Sequence, residues 1–233
     1  MSDNKIIGLV SSVPIESALI GRRARKKHKL LPQAWTGILS GRRVVHITSG
    51  VGITNAAWAT TLLMESFGIG AIVNFGIAGA YPGSGLQVGQ VVAATEEVYA
   101  DTGLVLADGT HDMTSMGIEL LKKGSRKLYN TFKLNKSLLK KAKPHVHATG
   151  RFLTVAQASG TLKRSHELEN RFKAITENME GAAVAHICAR YGVPALELRA
   201  ISNMVEDRDT SRWQIKPAST NCQSALLEIL PKL

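Results

Sequence analysis

Short apolar stretches alternate with stretches of helical periodicity along almost the whole chain. Continuous or alternating apolar residues predict strands at 5–12, 36–40, 43–49, 71–75, 87–99, 148–157, 174–177 and 195–201. Helical spacing predicts a helix that opens at Pro14 and further helices at 54–67, 117–129, 162–172, 182–191 and 219–230, with a loop at 101–116. Strands that alternate with helices predict an α/β fold with a mixed central sheet flanked by helices on both faces.

The size and composition fit one domain. The chain has 233 residues, of which 44% are hydrophobic, and this is enough for one substantial core. No internal repeat or linker divides it, so we expect a single domain over residues 1–233. No stretch is long and apolar enough for a membrane span, and the start lacks the apolar region of a signal peptide. A cytoplasmic location is therefore expected, in which Cys188 and Cys222 form no structural disulfide.

The net charge of +11 is concentrated in two basic patches. Residues 22–29 hold six Lys and Arg side chains and residues 122–143 hold nine, and neither stretch contains an acid. A run of like charges is usually a solvated face, so nucleic-acid binding is not expected. Both patches can still help to attract an anionic substrate.

The chain lacks the sequence signatures of the common cofactor and metal sites. Gly76 and Gly79 follow a predicted strand, but not with the Gly-x-Gly-x-x-Gly spacing of a dinucleotide site, and no Walker or Gly-x-Ser-x-Gly sequence is present. The histidines show no metal-ligand spacing. We expect neither a cofactor nor a catalytic metal. The two glycines either form a tight turn or let a ligand approach the backbone, and the sequence leaves both alternatives open.

Two fragments carry the candidate chemistry. Glu180 stands between Met179 and Gly181, where a predicted strand meets an apolar helix, and Asn203 ends the strand that follows. Ligand sites in α/β sheets form at the carboxyl ends of strands, so the carboxylate and the carboxamide can face one crevice. An unpaired carboxylate in apolar surroundings is costly, which favours a sugar diol over the amides of its own helix as the partner of Glu180. Asn203 is either a base-binding amide or a turn residue.

Glu16 and Phe152 are weaker candidates when each is taken alone. Glu16 lies at the start of a predicted helix, where the helix dipole by itself favours an acid. Phe152 lies near the end of a predicted strand, where an aromatic ring packs in the core more often than it stacks on a ligand. A wider pattern is needed to assign either residue to a site.

Six segments, in order along the chain, supply that pattern. They are Glu16 after the first strand, 49–52 (Ser-Gly-Val-Gly), 74–79 (Asn-Phe-Gly-Ile-Ala-Gly), 86–92, 179–183 (Met-Glu-Gly-Ala-Ala) and 199–203 (Arg-Ala-Ile-Ser-Asn). Together they resemble the nucleoside phosphorylase and nucleosidase superfamily over nearly the whole chain. The resemblance implies a nucleoside phosphorylase-like fold and cleavage of the N-glycosidic bond of a purine nucleoside.

The resemblance also implies roles for individual residues. It makes Glu16 the general base that activates water, and it makes Asn203 the residue that holds the departing base. The substrate-binding residues that it implies are Glu180 and Met179 at the ribose, Phe152 and the Leu153 backbone at the base, and Ile77, Ala78 and Gly79 along the ribose and water site. Members of the superfamily are commonly dimers, so a homodimer or larger homo-oligomer is expected.

Asn203 departs from the pattern of the methylthioadenosine/S-adenosylhomocysteine nucleosidases, which have aspartate there. An aspartate suits adenine because it accepts from the 6-amino group, whereas an asparagine can donate to O6 of a 6-oxopurine. The segments 76–86, 94–103 and 202–209 also resemble the futalosine hydrolase branch. That branch implies hydrolysis of futalosine to hypoxanthine and dehypoxanthine futalosine in menaquinone biosynthesis.

Other functions remain open at this point. An adenine-releasing nucleosidase, acting on methylthioadenosine, S-adenosylhomocysteine or aminofutalosine, is opposed by Asn203. A phosphorylase needs arginines near the glycine turns, and Arg22 and Arg23 make no convincing set. A non-catalytic nucleoside-binding protein, or a basic RNA-binding protein on the same scaffold, is opposed by the pair Glu16 and Glu180.

Overall fold

The computed structural model describes residues 5–23, the backbone of 26–27, and residues 33–107 and 109–233. The strands are β1 (Ile6–Ser11), β2 (Lys26–Lys27), β3 (Ala34–Leu39), β4 (Arg42–Thr48), β5 (Ile69–Ala80), β6 (Val91–Tyr99), β7 (Gly103–Leu106), β8 (Gly109–Asp112), β9 (Leu121–Lys123), β10 (Arg126–Leu128), β11 (Thr131–Lys133), β12 (Ala148–Thr154), β13 (Thr176–Asn178) and β14 (Ala195–Met204). The helices are α1 (Ala18–Gly21), α2 (Ile53–Ser66), α3 (Met113–Met116), α4 (Lys136–Ala142), α5 (Leu162–Phe172), α6 (Gly181–Tyr191) and α7 (Ile215–Ile229).

One mixed sheet organises the molecule. Within the described ranges it has ten strands in the order β11-β6-β12-β13-β5-β1-β4-β3-β2, and β14 pairs with both β5 and β6. Strand β14 runs parallel to β5 and antiparallel to β6. These pairings close a ring of five strands, β6, β12, β13, β5 and β14, so strands that are distant in sequence meet around one centre. The predicted α/β fold with a mixed sheet is confirmed.

Helices cover both faces of this sheet because its central strand is apolar on both sides. Along β5, Ile72 packs into a core with α2 and α6, whereas Val73 and Phe75 pack into a second core with α4 and α7. Successive strand residues point to opposite faces, so a strand buried twice needs a continuous apolar run. The run from 71 to 75 supplies it.

Several predicted elements differ from the structure. The predicted helix at 117–129 is wrong: it contains a hairpin of β9 and β10, in which Leu121 faces Leu128 and Gly124 turns the chain with φ +60°. The predicted loop at 101–116 contains a second hairpin, β7 and β8, followed by α3. Helix α4 was not predicted. In a short hairpin, the apolar residues of the two strands are separated by the turn. Over so few residues, this sequence spacing cannot be distinguished from the spacing of apolar residues in a helix.

Of the two basic patches, only the patch 122–143 lies wholly within the described residues. The patch 122–143 runs from β9 to the end of α4, and most of its Lys and Arg side chains are exposed. The patch 22–29 lies mostly outside the described residues. Among the described residues, no helix is long and apolar enough to cross a membrane.

Candidate active site

A cavity of about 270 Å³ opens where β1, β5 and β14 end. It is lined by seven of the nine residues that the sequence assigned to a site, namely Glu16, Ile77, Ala78, Gly79, Met179, Glu180 and Asn203. The two acids and the carboxamide therefore share one cavity, although they come from three separate segments. Their chemical roles stay predictions.

Backbone amides hold the carboxylate of Glu16. After β1 the chain enters a 3₁₀ turn, Pro14–Ser17, which brings Glu16 back over the end of the strand. Its Oε2 accepts from the N–H groups of Ser12 at 2.8 Å and Val13 at 3.2 Å, and its Oε1 accepts from the N–H of Ile77 at 2.9 Å. This carboxylate is fixed at the cavity wall rather than mobile in solvent.

The surroundings of Glu16 change the pKa of its carboxyl group. Burial raises the pKa of Glu16 above its usual range, while the charge of Arg199 and the backbone hydrogen bonds oppose the rise. A raised pKa makes a carboxylate a stronger base, which suits activation of water. Gly76 makes room for the acid, because a Cβ there would overlap the carboxylate and lie 3.0 Å from Nη1 of Arg199. Gly76 and Gly79 both lie inside β5, so neither forms a tight turn, and the ligand-approach hypothesis stays a prediction.

Glu180 presents its carboxylate to the cavity from the residue before α6. Its Oε1 accepts from the N–H of Gly52 at 3.0 Å, and its Oε2 lies 3.4 Å from Nη1 of Arg199. The first amides of its own helix are taken by Asn178, whose Oδ1 accepts from Glu180 N–H and Gly181 N–H at 2.9 and 2.7 Å. The alternative in which Glu180 caps its own helix is therefore wrong.

Arg199 is the central residue that sequence reasoning missed. It is 1% exposed and lines the cavity. Its Nε donates to Glu197 Oε1 at 2.9 Å, and its Nη1 donates to the Ile77 carbonyl at 3.2 Å. Burial alone would lower the pKa of Arg199, but Glu197, Glu180 and Glu16 together raise it, so the guanidinium stays charged. A signal was present, since two charged residues two positions apart interrupt the apolar strand 195–201.

A bulge at Ser202 aims Asn203 at the cavity. The pairing of β14 with β5 shifts there, since Ile201 pairs with Ala78 and Asn203 with Gly79. Bulges re-aim side chains near functional sites. The Ser202 hydroxyl donates to Asn203 Oδ1 at 2.7 Å, and Asn203 Nδ2 donates to the Met204 carbonyl at 3.0 Å. Within the described residues these bonds leave the carboxamide one N–H and one lone pair for a ligand.

Phe152 and Leu153 lie away from the cavity, so the assignments made for them are corrected. Both are 0% exposed on β12, and Phe152 packs in the core beside α2 and α6. The backbone of Leu153 pairs within the sheet, and its carbonyl accepts from Asn178. The segment that follows β12 lines the cavity instead, through Val155 and Ser159. Strand β12 is buried on both faces, so alternation along the sequence could not show which face a ligand meets.

The aromatic ring in the cavity wall belongs to Trp213, which the sequence did not single out. The guanidinium of Arg208 lies 4.7 Å from the centre of this ring, and both residues line the cavity. Neighbouring acids are engaged elsewhere: Glu206 accepts from Arg212 at 2.6 Å, and Asp207 accepts from the N–H of Leu162 at 2.9 Å. Among the described residues, no acceptor is bonded to the Arg208 guanidinium.

The described residues contain no cluster of three His, Cys, Asp or Glu side chains arranged to hold a metal ion. Cys188 and Cys222 are buried thiols, and burial raises the pKa of the Cys222 thiol to about 12. Neither thiol is set up for nucleophilic chemistry, because the reactive form is the thiolate.

Comparison with known proteins places this chain in a family. The family model described as the phosphorylase superfamily matches residues 6–231. The chain belongs to the phosphorylase superfamily. Within the superfamily it is a nucleosidase, as its relatives are. The superfamily expected from the six sequence segments is confirmed.

Individual relatives carry two different names. Futalosine hydrolase of Thermus thermophilus is 36% identical over 200 residues, which cover 84% of this chain and 85% of that protein. The 5'-methylthioadenosine/S-adenosylhomocysteine nucleosidase of Oceanobacillus iheyensis is 26% identical over 236 residues, 97% of this chain and 99% of that protein. The solved structure of the nucleosidase of that name from Neisseria meningitidis, in complex with methylthio-immucillin-A, has a TM-score of 0.84 and 24% identity over 98% of this chain and 100% of that chain. This last likeness establishes the fold.

Proposed function

We propose that this nucleosidase hydrolyses futalosine to hypoxanthine and dehypoxanthine futalosine. The observation that carries the proposal is the carboxamide of Asn203 in the same cavity as Glu16 and Glu180. Asn203 can donate its remaining N–H to O6 of a 6-oxopurine and accept from a protonated N7 with its remaining lone pair. The similarity to a named futalosine hydrolase supports the same substrate.

In the proposed reaction, Glu16 acts as general base. It takes a proton from a water molecule that attacks C1′ of the ribose. The backbone bonds from Ser12 and Ile77 fix the direction of the carboxylate, so the water is bound at one place on the cavity wall. Oriented contact between base, water and C1′ lowers the entropic part of the barrier.

Glu180 binds the 2′- and 3′-hydroxyls of the ribose in this proposal. Its negative charge also stabilises the positive charge that develops on the sugar as the glycosidic bond breaks. Met179 packs against the ribose, and Ile77, Ala78 and Gly79 line the space for the sugar and water. Asn203 has no acidic proton to give, so the proton that reaches N7 of hypoxanthine comes from solvent.

The tail of the substrate has a proposed partner as well. Futalosine carries a benzoate beyond the sugar, and a benzoate offers both a carboxylate and a flat ring. Arg208 supplies a guanidinium for the carboxylate, and Trp213 supplies an aromatic face beside it. Guanidinium groups and aromatic side chains are favoured partners of such ligands.

One assay tests the proposed function. Purified protein is incubated with futalosine, aminofutalosine, methylthioadenosine and inosine, with and without phosphate, and the freed base is identified. We expect hypoxanthine from futalosine at the same rate in both conditions. Adenine as the main product would establish the adenine-releasing alternative, which the Oceanobacillus iheyensis relative favours. A strict need for phosphate would establish a phosphorylase.

We further propose a homodimer that works in the cytoplasm. The hairpin of β7 and β8 exposes apolar side chains, with Leu104 at 40%, Val105 at 76% and Leu106 at 50% exposed, and Met116 and Ile118 in the following segment are also exposed. A local concentration of exposed apolar side chains is typical of a protein–protein interface. A second copy of this chain is the occupant that we propose.

A further inference from the structure

Behind the cavity, Glu97 and Glu197 form a pair of buried carboxyl groups that the proposed reaction does not use. Glu97 lies on β6 and is 0% exposed, and Glu197 lies on β14 and is 1% exposed. Oxygens of both carboxyl groups border the same small volume beside Gly181, so the two groups are close neighbours. Two carboxyl groups can form a direct hydrogen bond only if one of them holds a proton.

Gly181 provides the space for this pair. It is the first residue of α6, and its φ is not in the left-handed region, so the backbone does not require glycine. A Cβ at this position would overlap Oε1 of Glu97 and lie 2.5 Å from each carboxylate oxygen of Glu197. The two carboxyl groups therefore occupy the volume that any larger side chain would need.

The contacts indicate which carboxyl group holds the proton. Glu197 Oε1 accepts from Arg199 Nε at 2.9 Å, and Glu197 Oε2 has no hydrogen-bond donor among the described residues. The oxygens of Glu97 accept from neutral groups, Thr154 Oγ1 at 2.8 Å and Asn178 Nδ2 at 2.6 Å. A hydroxyl on Glu97 supplies the donor that Glu197 Oε2 lacks, and the cation beside Glu197 keeps that group ionised.

The energetics agree with this assignment. Burial raises the pKa of Glu97 well above its usual range, and the charge of Glu197 raises it further. Burial also raises the pKa of Glu197, but there the charge of Arg199 opposes the rise. Tyr99, the other titratable group beside Glu97, has its pKa raised by burial and is neutral. Two carboxyl groups that share a site ionise one at a time.

A count of charges leads to the same result. Within the described residues, four buried carboxyl groups, Glu16, Glu97, Glu180 and Glu197, interact with the single guanidinium of Arg199, whereas the buried Glu177 accepts from Tyr81 and Ser159. Full ionisation would leave three uncompensated negative charges in a region with little access to water, which is very costly.

The pair reaches the active site through Arg199. Glu197 holds one edge of the guanidinium, and Asn178 Oδ1 accepts from Nη2 at 3.2 Å while its Nδ2 donates to Glu97. The Nη1 group then lies 3.4 Å from Oε2 of Glu180. The contacts that Glu197 and Asn178 make with Arg199 therefore both depend on the carboxyl pair.

We propose that Glu97 holds a proton at neutral pH and donates it to Glu197, so that the two carboxyl groups act as one singly charged unit that positions Arg199 behind Glu16 and Glu180. Glu97 and Glu197 are positioning residues, since neither lines the cavity. The positioning role rests on the proposed function. The location of the proton does not.

Infrared spectroscopy tests the proton directly and needs no substrate. The C=O stretching band of a protonated carboxyl group is measured at pH 8 in the wild type, in Glu97→Gln and in the control Glu96→Gln. Glu96 lies on the same strand and pairs with Arg151 at 2.7 Å. We expect an acid band in the wild type that is lost in Glu97→Gln and kept in Glu96→Gln. Absence of any acid band in the wild type, which requires no variant to fold, would overturn the proposal.

Steady-state kinetics test the positioning role with whichever nucleoside the enzyme turns over. In Glu197→Gln we expect kcat to fall at least tenfold while KM changes less than threefold. We also expect the acid limb of the kcat/KM profile to move to lower pH. The reason is that removal of a negative charge lets Arg199 act more strongly on Glu16. Loss of thermal stability with an unshifted pH profile would mean a merely structural role.

The two tests separate this inference from the proposed function. If futalosine is not hydrolysed but the acid band behaves as expected, the proposed substrate is wrong and the carboxyl pair stands. If futalosine is hydrolysed and no acid band is found, the proposed function stands and the shared proton is wrong.

Discussion

The guanidinium of Arg199 connects acids that lie far apart in the sequence. It contacts Glu197 on its own strand and Glu180 from the start of α6, and its charge also acts on Glu16. Each acid alone is a weak functional candidate. Grouped around one buried cation, they form a site in which that cation offsets part of the negative charge before any substrate binds.

The first prediction concerns Glu16. Replacement Glu16→Gln removes the base while keeping the shape, so kcat should fall by roughly 10²- to 10⁴-fold, with binding of futalosine largely kept.

The pH dependence of the wild type tests the same residue. Because the base must be ionised and its pKa is raised by burial, wild-type kcat/KM should fall on acidification at a higher pH than an ordinary glutamate would give. Kinetics and calorimetry measure these effects. Glu228→Gln, at an exposed acid on α7, is the control, and unchanged turnover in Glu16→Gln would remove Glu16 from the reaction.

The second prediction concerns the base. Replacement Asn203→Asp exchanges a donor for an acceptor, so the ratio of kcat/KM for methylthioadenosine to that for futalosine should rise by at least about tenfold, or about 1.4 kcal/mol. Competition between the two substrates measures the ratio. Asn221→Asp, at an exposed carboxamide on α7, should leave it unchanged. An unchanged ratio in Asn203→Asp would mean that another group selects the base.

The third prediction concerns the substrate tail. Replacement Arg208→Met removes the guanidinium beside Trp213, so KM for futalosine should rise about tenfold, as expected for loss of a charged hydrogen bond. KM for methylthioadenosine, which has no carboxylate, should stay the same. Arg212→Met is the matched control, because the Arg212 guanidinium is already paired with Glu206. An equal rise for both substrates would place the tail elsewhere.

At the scale of elements, three local devices build the site. The bulge at Ser202 turns Asn203 toward the cavity, and the absence of side chains at Gly76 and Gly181 makes room for buried acids. The strand–helix junction at Glu180 is capped by Asn178, which leaves the Glu180 carboxylate free for the cavity. The bulge departs from regular structure, and such departures concentrate at functional sites.

The fourth prediction concerns strand β14. Replacement Arg199→Met leaves several buried acids without their cation, so the free energy of unfolding should fall by about 3–5 kcal/mol near neutral pH. The pKa values of these acids would then rise further in the folded state. In the unfolded chain these acids lose their protons at about pH 4.3, whereas in the folded variant they keep them to higher pH. The folded state then binds more protons than the unfolded state, so the free energy of unfolding of the variant should fall as pH increases. Denaturant unfolding at pH 5 and pH 8 measures this, with Arg151→Met as control. A loss that does not depend on pH would contradict the charge argument.

At the scale of the whole molecule, the closed ring of β6, β12, β13, β5 and β14 decides which residues meet. Strand β14 pairs with β5 and with β6, and it thereby brings Glu197 and Arg199 next to Glu97. The ring also leaves the hairpin of β7 and β8 on the outside with its apolar residues exposed. This hairpin is the surface at which we expect the proposed second copy of the chain to bind.

The fifth prediction concerns assembly. Light scattering should give twice the chain mass of 25.1 kDa, and Val105→Glu should shift the protein toward monomer because a charge at the proposed interface is costly to bury. Lys140→Glu, at an exposed residue of α4 away from the hairpin, is the control. A monomer at all concentrations in the wild type would contradict the proposed homodimer.

Long periodic segments were predictable because their local pattern and their tertiary role agree. The helices at 162–172 and 182–191 match α5 and α6 closely, and the run 71–75 is the core of β5. The stretch 101–129 was not predictable, since its short hairpins have no periodicity long enough to separate them from a helix or loop. Phe152 was misplaced for a related reason, because a strand buried on both faces does not reveal its ligand side.

By itself, the sequence predicted the α/β class and the long periodic elements, because these depend on local periodicity. It also supplied Glu180 and Asn203 as candidates at strand ends, and Glu16 through the resemblance to the superfamily. Only the tertiary structure decided that Arg199 joins the acids, that Trp213 and not Phe152 faces the cavity, and that Glu97 meets Glu197. The physical reason is that strand register and ring closure set contacts between distant residues, and a one-residue change of register turns every side chain to the other face.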